Sequence, residues 1–182
     1  MFNKKYWTFK EFMMIIRREK EEDFKSIYEI NEKAFKQKEE SELIERIRSG
    51  KNFVPELSLV AEENGRILGH ILFSKIKIKG EEKYESLALA PMAVLPELQR
   101  QGIGEKLVKE GLDKAKELGF DSVIVVGHKD YYPRFGFERA SKWNIKCPFQ
   151  VPGEAFMAIE LIDGALENKS GIIEYPEEFG IE

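Results

Sequence analysis

Cysteine and histidine are nearly absent from this 182-residue sequence, which holds one cysteine, Cys147, and two histidines, His70 and His128. A single thiol excludes an internal disulfide framework and any metal site built from several cysteines, and two imidazoles add too little for structural zinc. No metal is therefore expected. Apolar runs never approach the roughly 20 residues that span a bilayer, so no membrane partner is expected either. In the opening "MFNKKYWTFKEFMM", Lys10 and Glu11 interrupt any apolar core of a leader peptide. Excess positive charge is missing too: 29 basic against 33 acidic residues leave a net charge of −4, which argues against a nucleic-acid partner. What is present, 42% hydrophobic and 34% charged residues, suits one well-cored domain in the reducing cytoplasm.

Residues 1–13 read as an N-terminal extension, because domain-like patterning starts at "MIIRREKEEDFKSIYEINEKAF" and runs through 14–182 as one domain. "MIIR" predicts a short strand. Asp23 stands where it can cap a helix carrying Phe24, Ile27, Tyr28, Ile30 and Phe35. "EESELIERIRSG" predicts a second helix with Leu43, Ile44 and Ile47 on one face and Gly50 as its stop. Asn64-Gly65 predicts a tight hairpin turn, since both positions tolerate positive φ. The lysines alternating with Ile76 and Ile78 read as a solvated strand face.

After "YESLALAPMAVL" the apolar period changes from two to about 3.6. Ile103, Leu107, Val108, Gly111, Leu112, Ala115 and Leu118 make one helical stripe, which Gly119 ends. "DSVIVVG" reads as a strand buried on both faces. Strand, helix and strand in succession imply a right-handed βαβ crossover joining parallel strands. Two further strands are expected in "WNIKCPFQVPGEAFMAIELI". The fold class is α/β, with antiparallel hairpins feeding one parallel pair in a mixed central sheet.

The chemistry concentrates in "PMAVLPELQRQGIGE". Glycines that open a helix leave N–H groups free at the positive end of its dipole, a place for phosphate as well as for a simple tight turn. Leu107 replaces the third glycine of a dinucleotide fingerprint, and repeated βαβ units are missing, so a Rossmann domain fits poorly. Pro91 cannot donate to a ladder and marks a bulge or edge in an otherwise central strand. A bulge there would splay the parallel pair and leave the amides of Met92, Ala93 and Val94 without a partner. An extended amide-bearing ligand with a pyrophosphate at one end would complete the ladder, and coenzyme A has that shape.

These segments carry a resemblance. "MAVLPELQRQGIGEKLV" resembles the acetyl-CoA motif of the GNAT superfamily of N-acetyltransferases, with Gln99, Gly102 and Gly104 at its Gln/Arg-x-x-Gly-x-Gly/Ala positions. "DYYPRFGF" resembles the later segment in which a tyrosine precedes Gly-Phe, and "GEAFMAIEL" is similar to the ending of the YhbS-like branch. The resemblance implies a GNAT-like sheet with splayed parallel strands and a βαβ unit that binds acetyl-CoA. Met92, Ala93 and Val94 would hold the pantetheine arm. Arg100, Gln101, Gly102, Ile103, Gly104 and Glu105 would hold the pyrophosphate, with the Glu105 side chain turned outward.

The implied activity is direct acetyl transfer from acetyl-CoA to a primary amine of a small molecule or a protein, with a homodimer as an open assembly. Tyr132, in register with Gly136-Phe137, would protonate the leaving thiolate, and Tyr131 beside it would pack. His128, ending the β-branched strand, and Glu40, at an acidic position of the branch, are candidate bases; a bystander histidine and a solvated helix face are the plainer readings. Cys147 reads as a buried strand residue and His70 as structural. A non-catalytic acyl-CoA sensor would share the turn and the broken strand but would give Tyr132 no task.

Overall fold

The computed structural model describes residues 14–181; the expected extension, residues 1–13, lies outside them. The chain begins with β1 (Ile15–Arg18), a 3-10 turn (Glu21–Asp23), α1 (Phe24–Phe35) and α2 (Glu39–Ser49). β2 (Phe53–Glu63) and β3 (Arg66–Lys79) form the expected hairpin, with Asn64 at φ 53° and Gly65 at φ 78°. β4 (Lys83–Val94) leads through the glycine turn to α3 (Ile103–Glu117) and β5 (Ser122–Val126). Short β6 (Glu138–Arg139) and β7 (Ile145–Lys146) precede β8 (Phe156–Glu160) and β9 (Gly171–Glu174). The sheet runs β1-β2-β3-β4-β5-β8-β6, with β9 joined to β3 and β7. β4 and β5 are parallel, as the crossover requires.

Two layers of helix cover opposite faces. A Cβ on Gly69 would meet Leu107 of α3, and one on Gly111 of α3 would strike the Phe73 ring, so odd-numbered residues of β3 face α3. Even-numbered ones face α1, α2 and the C-terminal segment; Ile76 and Ile78 pack there with Ile124, Ile145, Phe156 and Ile173. The expected α3 stripe is buried from Ile103 to Ala115, whereas Leu118 falls past the last turn and is exposed. Asp23 precedes α1, but its carboxylate does not cap that helix. It accepts from the Lys20 N–H at 2.8 Å and from Arg17 at 2.7 and 3.0 Å, because the 3-10 turn offers the nearer donors.

His70 is fully buried on the α2 face, the structural place expected of it. Its Nε2 lies 2.9 Å from Ser58 Oγ and 3.5 Å from Glu19 Oε2. Arg48 of α2 grips the same carboxylate with two bonds of 2.9 and 3.0 Å. Burial holds the His70 imidazole below its usual value, so it is neutral near pH 7 and still donates one N–H. Burial pushes the Glu19 carboxyl up, but the bonds from His70 and Arg48 outweigh it and hold the group at about 2. Arg48 therefore supplies the balancing charge.

Glu19 stabilises the fold fully above its unfolded value near 4.5, and that contribution is lost as pH falls toward 2. Arg48→Met, which leaves the carboxylate buried without its counter-charge, is expected to cost about 3–5 kcal/mol in urea unfolding at neutral pH. The gap from wild type should narrow by pH 3, where the variant's Glu19, freed of the guanidinium that lowers it, is protonated. A gap that stays constant with pH would show that the loss is one of packing.

Candidate cofactor and active site

β4 and β5 stay together only briefly. Leu87 registers with Val123 and Ala88 with Ile124, and the strands then part. On its other edge β4 carries one residue too many: Ile71 faces Met92 and Phe73 faces Leu89, so Ala90 and Pro91 together oppose Leu72. This is the bulge that Pro91 predicts, in a strand that is otherwise central.

Backbone direction beyond the bulge follows from one bond. The Leu95 N–H donates to Leu68 O at 2.9 Å, and the register continues as Gly69 with Val94, His70 with Ala93 and Ile71 with Met92. Antiparallel pairs alternate between bonded and non-bonded. Ala93 therefore turns its N–H and C=O toward β3, while Met92 and Val94 turn theirs into the slot that β5 has left. The Val94 carbonyl receives the Gln99 side chain at 3.2 Å, which leaves its N–H as the free group. Of the three amides expected in the slot, two face it.

The glycine turn follows directly. Gly102 sits at φ 84° and Arg100 at φ 63°, a left-handed pair of positions that lets the chain reverse into α3. Lys106 N–H donates to Gly102 O at 3.1 Å. The N–H groups of Ile103, Gly104 and Glu105 precede that first helical bond and point out of the helix start. The Glu105 carboxylate is bound along the helix by Lys109, which, with Arg134 behind it, holds the group below the usual carboxylate range. Its side chain is turned away and its amide left free, as the sequence suggests.

A Cβ placed on Gly104 would lie 2.8 Å from Tyr131 Oη and 3.4 Å from Met92 Sδ. The end of β4, the start of α3 and the aromatic turn after β5 thus converge at one point. The turn (Tyr132–Phe135) is set by His128, whose carbonyl accepts from Tyr131 N–H at 3.0 Å and Tyr132 N–H at 3.4 Å. β5 ends at Val126, so the exposed His128 imidazole lies past the strand rather than at its tip.

The two tyrosines both pack, Tyr131 against the core as expected and Tyr132 more deeply. Tyr132 is the more buried, 7% exposed, its ring against Gly127 and edge-on to Phe137 at 5.5 Å. Burial pushes its phenol above the usual range. Tyr131 is half-buried and brings its hydroxyl to the glycine turn, with the Arg134 guanidinium 4.5 Å over its ring. Tyr131, read from the sequence as a packing residue, and Arg134, which the sequence analysis does not single out, thus stand beside the glycine turn. Tyr132 and His128 share this turn. Glu40 stands apart on the first turn of α2, bound by Gln37 at 2.9 and 3.1 Å. Cys147 follows β7 instead of lying within a strand, and burial raises its thiol.

A parallel pair opened at one end, with free amides along one edge and an anion-binding helix start at its mouth, defines a domain of the acyl-CoA-dependent transferase class. Comparison with known sequences makes this specific. The chain belongs to the acetyltransferase (GNAT) family, whose model matches residues 24–137. It is 34% identical over 167 residues to the uncharacterised N-acetyltransferase YhbS of Escherichia coli, covering 91% of this chain and 98% of that protein. The crystal structure of E. coli YhbS in complex with CoA superposes with a TM-score of 0.87 at 31% identity, over 93% of each chain. A GNAT family acetyltransferase from Brucella melitensis in complex with acetyl-CoA gives 0.75 at 32% identity, over 92% of this chain and 98% of that one.

Gly102→Val forces a β-branched residue into left-handed backbone, and Gly104→Val sets a side chain against Tyr131 Oη. Gly102→Val should cost about 1–2 kcal/mol of stability, and Gly104→Val less, since its backbone is helical and only the end of the Tyr131 side chain must shift. CoA affinity, measured by calorimetry, should fall about tenfold or more in both, since the added side chain also keeps phosphate off the backbone. Unchanged affinity in both folded variants would make the turn purely structural.

Proposed function

We propose that the chain transfers the acetyl group of acetyl-CoA directly to a primary amine of a small molecule or a protein, and that it works in the cytoplasm. The observation that carries this reading is the slot beyond Ala88 and Ile124, into which Met92 and Val94 turn backbone groups that no strand among the described residues meets. A pantetheine arm, with its own amides, is the complement of that edge. Ala93 contributes its place in the strand rather than its N–H, which is turned to β3. The turn from Arg100 to Glu105 receives the pyrophosphate on its amides, with Tyr131 and Arg134 beside it.

The chemistry then needs three groups. The Val94 N–H donates to the thioester oxygen as negative charge grows there. The amine nitrogen attacks the carbonyl carbon, the carbon–sulfur bond breaks, and the proton lost by the amine passes to a base. His128, exposed past the end of β5, and Glu40 on α2 are the candidate bases. Tyr132 returns a proton to the thiolate. Burial raises the phenol above its usual value, well above a free thiol at about 8.5, so this transfer runs uphill and leaves a tyrosinate that solvent reprotonates before the next turnover.

Acetyl-CoA should raise the melting temperature by binding the folded state, and NAD should not. Tyr132→Phe keeps the ring against Gly127 and Phe137 and removes only the hydroxyl that carries the proton. CoA affinity should remain within a few fold, while kcat falls about 10²-fold or more. Full turnover by that variant, where chemistry limits the rate, would remove Tyr132 from the mechanism; stabilisation by NAD alone would defeat the cofactor assignment.

A further inference from the structure

A second concavity lies on the other face of the sheet from the glycine turn. It has a volume of about 640 Å³, and its walls include Ile145, Lys146, Cys147, Phe149, Val151 and Phe156. Register fixes its place. Phe156 of β8 pairs with Val126 at the end of β5, and the Gly127 N–H donates to Ala155 O at 2.9 Å. This is the end at which β4 and β5 have parted. Facing follows by the same route: Ser74 faces away from α3, Ala88 pairs with Ser74, Ile124 with Ala88 and Ala158 with Ile124. Phe156, two residues before Ala158, shares that face. The glycine turn, on the α3 side, and this cavity therefore flank the slot from opposite faces.

The floor beside the cavity is incompletely covered. Val126 is 41% exposed although its strand is central, and Phe149 is 38% exposed. Phe149 stands over Tyr175, ring centroids 5.9 Å apart. Large apolar groups left open at the mouth of a concavity mark a surface that a ligand covers. Among the described residues Lys146 is the only charged side chain on the cavity wall, and it repels a second cation placed there. The Cys147 thiol, which burial keeps protonated, adds a small apolar wall and no charge.

We infer that this cavity receives the acceptor, and that the acceptor is an amine on an apolar, ring-sized body, an arylalkylamine. The ring lies among Phe149, Val151 and Phe156, and the single amino group is directed away from Lys146 toward the parted strands. A carboxylate on the body is tolerated by Lys146; a polyamine is not. This inference rests on the acetyl-transfer reading and names its substrate class.

The test uses the whole protein with acetyl-CoA and three amines, phenethylamine, ethanolamine and spermidine, followed by thiol release. Binding of phenethylamine to the CoA-loaded protein is followed in parallel by calorimetry. The kcat/KM for phenethylamine should exceed that for the other two by about tenfold or more, the scale on which an apolar pocket discriminates. Phe149→Ala, once unfolding shows the variant folded, and Val151→Asp should each raise the KM for phenethylamine about tenfold with little change in kcat. Equal or better use of ethanolamine or spermidine, or variants with unchanged KM, would overturn the pocket and leave acetyl transfer standing. No thiol release from any amine, with phenethylamine still binding to wild type and not to Val151→Asp, would keep the pocket and overturn the transfer. Absence of both binding and turnover with phenethylamine would overturn the inference outright.

Discussion

Backbone hydrogen bonding at the end of β4 is the constraint on which the rest of the structure depends. A strand flanked by neighbours on both edges normally has every amide paired, because an unpaired buried amide is costly. Here one extra residue at Ala90–Pro91 changes the strand's course after two pairs with β5. The edge toward β3 recovers its register at once, and the edge toward β5 never does. The resulting defect is directional: it offers N–H groups from Met92 and Val94 and withholds the Val94 carbonyl, which Gln99 occupies. A fold that left this edge open with nothing to bind would carry the penalty without return.

Everything near the defect is arranged to keep it open and correctly charged. α3 buries its stripe from Ile103 to Ala115 and so fixes where its N-terminus lies. Glu105, the one acid in that first turn, is drawn off by Lys109, while Arg100 and Arg134 leave positive charge by the glycines. On the other face the Glu19–Arg48–His70 cluster ties α2 to β3 at the residue that pairs with Ala93. A buried ion pair contributes little net stability compared with apolar packing, but it fixes one arrangement of α2 against the sheet. α2 carries Glu40, so the cluster also sets where that carboxylate stands.

The adjacent tyrosines show how a single turn serves both faces of the problem. His128 O binds the amides of both residues, which sends successive side chains to different places. Tyr132 is pressed onto Gly127, where any side chain would collide with its ring. Tyr131 reaches across to Gly104. Sequence neighbours thus link the end of β5 with the start of α3, and Gly127 and Gly104 are needed for the room they leave.

Much of the architecture was legible in the sequence because it rests on local rules. Asn64-Gly65 dictated the hairpin, the change of period after Val94 dictated the crossover, and Pro91 dictated a bulge. The glycine turn was legible for the same reason, since left-handed backbone and a bare helix start are properties of a few consecutive residues. The two strands expected in "WNIKCPFQVPGEAFMAIELI" are β7 and β8, but two-residue β6 carries no periodicity and β9 is defined by partners in β3 and β7 far away in sequence; neither of these could be read locally. Which of Met92, Ala93 and Val94 faces the slot depended on where β3 accepts its bonds. Which tyrosine is buried depended on Gly127, and whether Asp23 caps α1 depended on Arg17. Local sequence determined the elements, the turn and the broken strand, because φ preference and apolar period are written residue by residue. Tertiary structure alone decided which groups meet at the slot, because facing and burial are set by partners that the sequence places tens of residues away.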